Sequence, residues 1–234
     1  MRKRNLDRLL ACAAVALVVV PSFVATMSSA QVPAPPAATP TPPPLPRMPP
    51  SLVPARVIDL MTADGSALFG AQWKIMEAKI VEVPAIANAM PEYKTTYDIK
   101  PHAGEGGFDD SSWPAIDATA LAARRGGGKV SFIWYRTTLT VPAKIGDFET
   151  TDAMAVLTAY VDDYAEVWIN GQMPRRSGYP SPATIQGLNM PNRVVLADAV
   201  RDKFQIAVFG INGPISVAPM NFVWFRAAKV EFFR

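Results

Sequence analysis

The sequence predicts an all-β fold, an antiparallel sandwich of two sheets, for the part of the chain that follows residue 54. Helical periodicity is nearly absent there, and short runs rich in Val, Ile, Thr, Phe, Tyr and Trp alternate with Gly, Pro, Asn and Asp. That alternation is the pattern of strands and turns. About 180 residues, the size of one ordinary domain, hold eight such runs. Eight antiparallel strands of this kind favour a two-layer jelly roll.

Each predicted strand is a run of β-branched and aromatic residues bounded by turn formers. In chain order the predicted strands are Ala71–Val83, Thr95–Ile99, Lys129–Val141, Ala153–Val161, Ala165–Ile169, Arg193–Leu196, Phe204–Phe209 and Phe222–Phe233.

The fifth of these strands shows the alternation of a half-buried strand most clearly. Its apolar residues, from Ala165 to Ile169, face one way, while Glu166 and Trp168 face the other way. The pair Asn170-Gly171 follows directly, and both residues tolerate the positive φ that a type I′ hairpin turn requires. We therefore expect this strand to end in a two-residue hairpin.

Two pairs of adjacent aspartates, Asp109-Asp110 and Asp162-Asp163, could be catalytic carboxylates or turn residues. Glycosidases use two acids roughly 5–10 Å apart on opposite sides of the bond that is cut. Neighbouring residues on an extended chain point to opposite faces, so one acid from each pair would have to converge. Short acidic side chains at a strand break accept hydrogen bonds from turn amides, and this structural role is the one we predict for all four.

The first 30 residues have the features of a secretion signal. A basic head, MRKRNLDR, precedes an apolar run from Leu9 to Met27, and Ser28-Ser29-Ala30 supplies small residues for cleavage after Ala30. An uncleaved membrane anchor is the alternative, because about 20 apolar residues span a bilayer. We expect a periplasmic or secreted protein that has no membrane contact after cleavage.

A Pro-rich linker is predicted from residue 31 to residue 54, where eleven of the twenty-four residues are proline. Such a tract cannot form a helix interior or a strand ladder and behaves as a stiff, extended spacer. The folded domain is thus predicted to span residues 55–234.

Charge and composition exclude several function classes for the mature chain. The leader holds four of the basic residues and one of the acidic residues, which leaves nineteen of each, so no basic face for nucleic acid is expected. The single cysteine, Cys12, leaves with the leader, so the domain folds without disulfides. His102 is the only histidine, so no metal site based on histidines is predicted and a Ser-His-Asp triad could form only around this residue. We predict no cofactor, and structural calcium is a minor alternative.

Sugar recognition uses a flat aromatic ring for the apolar face of a pyranose and polar side chains for its hydroxyls. The best aromatic candidates are Trp168, which lies on the outward face of its strand, and Tyr179, which lies in the loop Pro174–Pro191. The predicted ligand-binding residues are Trp168, Tyr179, Glu166, Arg175, Asn189 and Asn192.

Several motifs resemble galactose-binding-like jelly rolls, such as the sugar-binding domain of family 2 glycoside hydrolases. They are FDDSSW (Phe108–Trp113), WYRTTLTVP (Trp134–Pro142) and VDDYAEVWING (Val161–Gly171), in that order. Further runs, including TYDIKPHAG (Thr96–Gly104) and QIAVFGINGPIS (Gln205–Ser216), resemble the sandwich that precedes the propeller in bacterial gluconolactonase-like proteins. The metal-binding Glu, Asn and Asp of that propeller have no counterpart here. The resemblance therefore implies an accessory sandwich without lactonase activity.

Residues and resemblance together predict a non-catalytic module that binds a carbohydrate or serves a sugar-processing enzyme. One alternative is a module that docks onto a separately encoded enzyme or a surface complex. A second alternative is a weak hydrolase that depends on carboxylates. An exposed aromatic beside polar loop residues would favour sugar binding, a broad apolar patch would favour docking, and converging carboxylates would favour hydrolysis.

Overall fold

Two antiparallel sheets make up the fold in a computed structural model that describes residues 53–85, 94–126, 132–173, 190–197, 203–213 and 222–234. The strands, numbered in chain order, are β1 (Arg56–Asp59), β2 (Trp73–Pro84), β3 (Thr95–Lys100), β4 (Ala115–Ile116), β5 (Phe132–Thr140), β6 (Lys144–Ile145), β7 (Phe148–Glu149), β8 (Met154–Asp162), β9 (Tyr164–Ile169), β10 (Asn192–Ala197), β11 (Lys203–Ile211) and β12 (Trp224–Phe233). A short helix, α1 (Ala63–Leu68), follows β1, and a 3-10 turn (Ala118–Ala120) follows β4. The predicted leader and nearly all of the linker lie outside the described residues.

The order of the strands confirms the predicted two-sheet sandwich of jelly-roll type. One sheet has the order β1-β12-β8-β10, the other has the order β3-β2-β5-β11-β9 with β4 paired to β2, and the strands β6 and β7 form a separate hairpin. From β8 to β12 successive strands alternate between the two sheets. This winding brings residues that are distant in sequence onto one face.

The core lies between the sheets and is filled by every second residue of the long strands. Trp73 and Phe225, from opposite sheets, meet edge to face with their ring centroids 5.6 Å apart, and Tyr135 lies 4.9 Å from Phe225. Complete burial of a large apolar side chain contributes about 1.5–3 kcal/mol. A core of this size explains how the domain can fold without disulfides.

A second apolar layer covers the outer face of the six-stranded sheet. Residues 101–114, called the covering loop below, lie across that face and contribute Ala103, Phe108 and Trp113 to the layer. The sheet contributes outward-facing residues such as Trp134 and Phe209. The outward face of β9 was predicted to be polar, but in the structure it borders this apolar layer.

Arg136 fastens the covering loop to the sheet. Its side chain is 1% exposed, and its Nε donates to Asp110 Oδ2 at 2.8 Å. Its two terminal nitrogens donate to the carbonyl oxygens of Ala103 and Phe108. Lys74 adds a second ion pair, with its Nζ 2.8 Å from Asp110 Oδ1. The loop is therefore held at three points, two backbone carbonyls and one carboxylate, by one buried guanidinium.

Candidate functional site

A cleft of about 340 Å³ lies on the outer face of the six-stranded sheet, beside the covering loop. Strands β5 and β9 contribute its floor, β3 contributes one wall, and the covering loop contributes the other. The residues that line it are Tyr97, Asp98, Ile99, His102, Gly104, Glu105, Trp134, Glu166 and Trp168.

The floor is aromatic because strand alternation and register place outward-facing residues side by side. Phe209 on β11 lies between Trp134 on β5 and Glu166 on β9. Two residues further along β9, Trp168 lies opposite Ala207 of β11. The indole N–H groups of Trp134 and Trp168 are buried and meet no hydrogen-bond acceptor in the described part of the chain. The two indoles of the floor therefore offer a ligand apolar ring surface.

Trp168 packs under the covering loop at Gly104. A Cβ atom on Gly104 would lie 2.6–3.0 Å from three atoms of the indole ring, which is closer than carbon atoms approach without strain, so only glycine fits against the ring at this position. One side of the indole is thus covered, and Trp168 is partly buried. It is not the open platform that the sequence analysis considered.

Tyr97 supplies the exposed aromatic ring of the cleft. It lies on β3 and is 74% exposed. In the described part of the chain it is the one large, exposed apolar or aromatic residue that lines the cleft. The sequence analysis missed it, although an aromatic residue in the alternating run TTYDIK could have suggested an outward-facing ring.

His102 lies between two carboxylates at the wall of the cleft. Its Nε2 is 2.8 Å from Asp98 Oδ1, and its Nδ1 is 3.1 Å from Glu105 Oε1. The hydrogen bond to Asp98, more than the charges of Asp98 and Glu105, raises the pKa of His102 above its ordinary value. The same hydrogen bond lowers the pKa of Asp98. A histidine ring donates from both of its nitrogens only in the imidazolium form, so this arrangement favours the protonated form of His102.

Asp110 differs from the turn role that we predicted for it. Its carboxylate accepts from Arg136 and Lys74. Burial raises the pKa of Asp110, but the hydrogen bonds from Arg136 and Lys74 outweigh burial and hold that pKa below its ordinary value. Asp109, its neighbour, does accept from a turn amide, because the backbone N–H of Ser111 donates to its Oδ1 at 2.9 Å.

Asp162 and Asp163 also bind differently from the prediction. Asp163 Oδ2 accepts from the backbone N–H of Gly213 at 2.7 Å, in a loop 50 residues further along the chain. The Asp162 carboxylate lies 3.7 Å from Arg226, and its backbone carbonyl accepts from Asn212. Both residues connect the end of β8 to other elements.

Asn170 and Gly171 form the two-residue loop after β9. Their φ angles are +50° and +79°, and the backbone groups of Ile169 and Gln172 exchange hydrogen bonds of 2.8 and 2.9 Å across the loop. Asn170 Oδ1 also accepts from the backbone N–H of Gln205.

Of the other four predicted ligand-binding residues, the structure describes only Asn192. Asn192 is 1% exposed and lies on β10 in the other sheet, where it is buried and cannot contact a ligand on the surface. Arg175, Tyr179 and Asn189 lie outside the described residues. Of the six candidates, the structure places Trp168 and Glu166 in the cleft.

Two further types of site were sought in the described residues. No group of three or more His, Cys, Asp or Glu side chains there is placed to hold a metal ion. Nor does that part of the chain contain a helix long and apolar enough to cross a bilayer.

Comparisons with known proteins give only weak likenesses. No protein-family model and no curated protein matches the sequence. Among solved structures, the fold is similar to a calcium binding mutant of Bacteroides uniformis beta-glucuronidase 2, with a TM-score of 0.44 and 15% identity over 76% of this chain. A glycosyl hydrolase family 2 member from Bacteroides cellulosilyticus has a TM-score of 0.41 and 14% identity over 69% of this chain. An uncultured Clostridium sp. beta-glucuronidase has a TM-score of 0.38 and 12% identity over 69% of this chain.

The likeness covers only a small part of each of those proteins. This chain spans 18%, 20% and 29% of their lengths, respectively. With TM-scores below 0.5, the three structures establish neither a family nor a function for this chain, and the resemblance to sugar-binding jelly rolls stays a prediction.

Proposed function

We propose that the domain is a non-catalytic carbohydrate-binding module whose ligand occupies the cleft between Tyr97 and Trp168. The observation that carries this proposal is the exposed ring of Tyr97 beside Asp98 and Glu105. An aromatic ring packs against the apolar face of a pyranose, while carboxylates accept hydrogen bonds from its hydroxyls. The cleft combines both kinds of contact. Its volume of about 340 Å³ would suit one or two sugar rings better than it would suit the surface of a partner protein.

The cleft is mixed in character, and this distinguishes sugar binding from docking onto another protein. A docking surface would show a contiguous apolar patch. Here one exposed aromatic is surrounded by three acidic residues and a histidine. The sugar-binding alternative is therefore the one that this geometry supports.

The electrostatics of the cleft support binding without hydrolysis. A glycosidase needs one carboxylic acid whose pKa is raised so that it can protonate the leaving group. The hydrogen bond from His102 instead lowers the pKa of Asp98. His102 also lies 3.1 Å from Glu105, and the lowered pKa of Asp98 makes the Asp98 carboxyl a poor proton donor for a leaving group.

Export and partnership with a sugar-processing enzyme are part of the same proposal. They are supported by the leader-like first 30 residues and the Pro-rich tract. A secreted sugar-binding domain on a stiff spacer would hold an enzyme or a cell surface close to a glycan.

A glycan-array screen of the full chain, followed by calorimetry on the glycan that binds best, tests the proposal. Loss of an aromatic contact removes on the order of 1–3 kcal/mol, so Tyr97→Ala should weaken binding by about 10- to 100-fold. Leu68→Ala is the matched control, because Leu68 is 40% exposed and does not line the cleft. Binding that survives in Tyr97→Ala, or that falls equally in Leu68→Ala, would place the site elsewhere.

A further inference from the structure

A second, smaller pocket lies at the end of the sandwich where β8 meets β12. Its volume is about 170 Å³, and it is lined by Arg124, Asp162, Asn212, Phe222 and Trp224. Since one liquid water occupies about 30 Å³, the pocket has room for about five waters. It suits a single small chemical group and does not suit a whole sugar ring.

Two arginines stack on the indole of Trp224 beside this pocket. The guanidinium carbon of Arg124 lies 4.6 Å from the ring centroid, and that of Arg226 lies 4.3 Å from it. Contacts of this kind are attractive and fix the plane of a guanidinium. Trp224 therefore acts as a support for two positive charges and does not act as a platform for a sugar.

The two arginines differ in what their N–H groups meet. Arg226 donates to Tyr160 Oη at 2.7 Å and lies 3.7 Å from Asp162 Oδ2. Arg124 lies at the exposed rim of the pocket. Its charge acts on Asp162 across the pocket, but no hydrogen bond or salt bridge joins Arg124 to another residue in the described part of the chain. An oriented guanidinium with unused donors is suited to bidentate recognition of a carboxylate, sulfate or phosphate.

Asp162, the acid in this pocket, has a pKa above that of an ordinary aspartate. Burial raises the pKa of Asp162, and a hydrogen bond with the adjacent Asp163 carboxyl raises it further, while Arg226 and Arg124 lower it. The balance leaves the pocket with two guanidinium groups and a carboxyl group that resists ionisation. This charge distribution favours an anion.

We propose that the pocket at Arg124 binds one oxyanionic group of an acidic ligand, either a carboxylate or a sulfate. Arg124 holds the anion, the indole of Trp224 keeps Arg124 in position, and Arg226 adds a second positive charge. Asp162 weakens the interaction whenever it is ionised. This site belongs to a different part of the fold from the cleft at Tyr97, and it does not depend on sugar binding there.

Calorimetry or NMR titration of the full chain at constant ionic strength tests this proposal. The probes are sodium sulfate, sodium acetate, a hexuronic acid and the corresponding neutral hexose. We expect saturable binding of the anions and none of the neutral hexose at this pocket. A preference for sulfate or for the two carboxylates shows which kind of acidic ligand the pocket recognises.

Three variants make the test specific. Arg124→Gln should lower the affinity for the anions at least tenfold, whereas Asp162→Asn should raise it severalfold, because a repulsive charge is removed. Arg56→Gln is the matched control, since Arg56 also lies over an aromatic ring, Phe148, but is paired with Asp147. Its binding should be unchanged.

Four results would overturn the proposal: no saturable anion binding, equal binding of the neutral hexose at this pocket, an equal loss in Arg56→Gln, or weaker binding in Asp162→Asn. Tyr97→Ala separates the two proposed sites. It should weaken binding of glycans to the cleft by about 10- to 100-fold and leave binding of the anions at Arg124 intact, so either site can fail without the other.

Discussion

Replacing Asp110 with alanine is expected to lower the free energy of unfolding by about 2–4 kcal/mol. The variant removes two charge-assisted hydrogen bonds, from Arg136 and from Lys74, each 2.8 Å long. Lys74 keeps its bond to the Asp110 carbonyl and is 21% exposed, so it can be hydrated at little cost. Arg136 is 1% exposed and would retain only two carbonyl partners. An unpaired buried charge costs about 3–5 kcal/mol, and the partial exposure of Asp110 lowers that figure here.

Urea denaturation of three variants measures their free energies of unfolding, and thermal denaturation measures their melting temperatures. For a domain of this size, about 2–4 °C of melting temperature is lost per kcal/mol, so Asp110→Ala should melt about 5–15 °C lower than the natural protein. Asp109→Ala removes the neighbouring carboxylate, which accepts hydrogen bonds from the amide and the side chain of Ser111, and should lose only about 0.5–1.5 kcal/mol. The double variant Asp110→Ala/Arg136→Met removes the charge together with its partner and should regain much of the stability.

The reasoning fails if Asp110→Ala and Asp109→Ala are equally stable. It also fails if the double variant is no more stable than Asp110→Ala alone, because the loss would then come from packing and not from an unpaired guanidinium. Equal stability of the two single variants would show that the ion pair between Asp110 and Arg136 is not what holds the covering loop to the sheet.

Two further predictions concern the walls and the edge of the cleft. His102 is the only histidine, so NMR titration of its ring should give a single curve with a pKa above 6.5; Asp98→Asn should lower that pKa, and an unchanged curve would contradict the ion pair. Because the pKa is raised by folding, the stability that His102 contributes is complete below pH 6.5 and is lost as the pH rises through the folded value. Gly171→Ala should destabilise the domain by more than 1 kcal/mol, since φ is +79° and the new Cβ would lie 2.3 Å from the nitrogen of Gly106. Gly70→Ala, with φ of +62° and open space around it, should lose less, and equal losses by thermal denaturation would show that the contact with Gly106 is unimportant.

The long strands could be predicted from the sequence because their signal is local. Each of the eight predicted strands overlaps one observed strand, and the turn at Asn170-Gly171 follows from two adjacent residues that accept positive φ. The short elements β1, β4, β6 and β7 were not predicted, because two to four residues are too few to show a period. Helix α1 was also missed, since its six residues are stabilised by the Thr62 cap and by contacts with other elements.

The candidate site could be predicted only in part, since most of its residues meet through long-range contacts. Trp168 and Glu166 could be found because alternation along one strand points both side chains outward. The partners of Asp110 lie 26 and 36 residues away in sequence, so no local pattern distinguishes it from Asp109. His102 joins the cleft because the loop that carries it is fastened across the sheet.

The covering loop links the stability of the domain to the shape of the cleft. The outer face of the six-stranded sheet carries large apolar side chains, including Trp134 and Phe209, which would be a liability if they faced water. The covering loop shields most of them, and the cleft is the strip left between this loop and β3. Since Arg136 sets the position of the loop and Gly104 fits against Trp168, the same contacts that bury the apolar layer also fix the walls of the cleft. Asp110→Ala should therefore weaken glycan binding at a temperature where the domain is still folded, although Asp110 does not line the cleft, and Asp109→Ala should not.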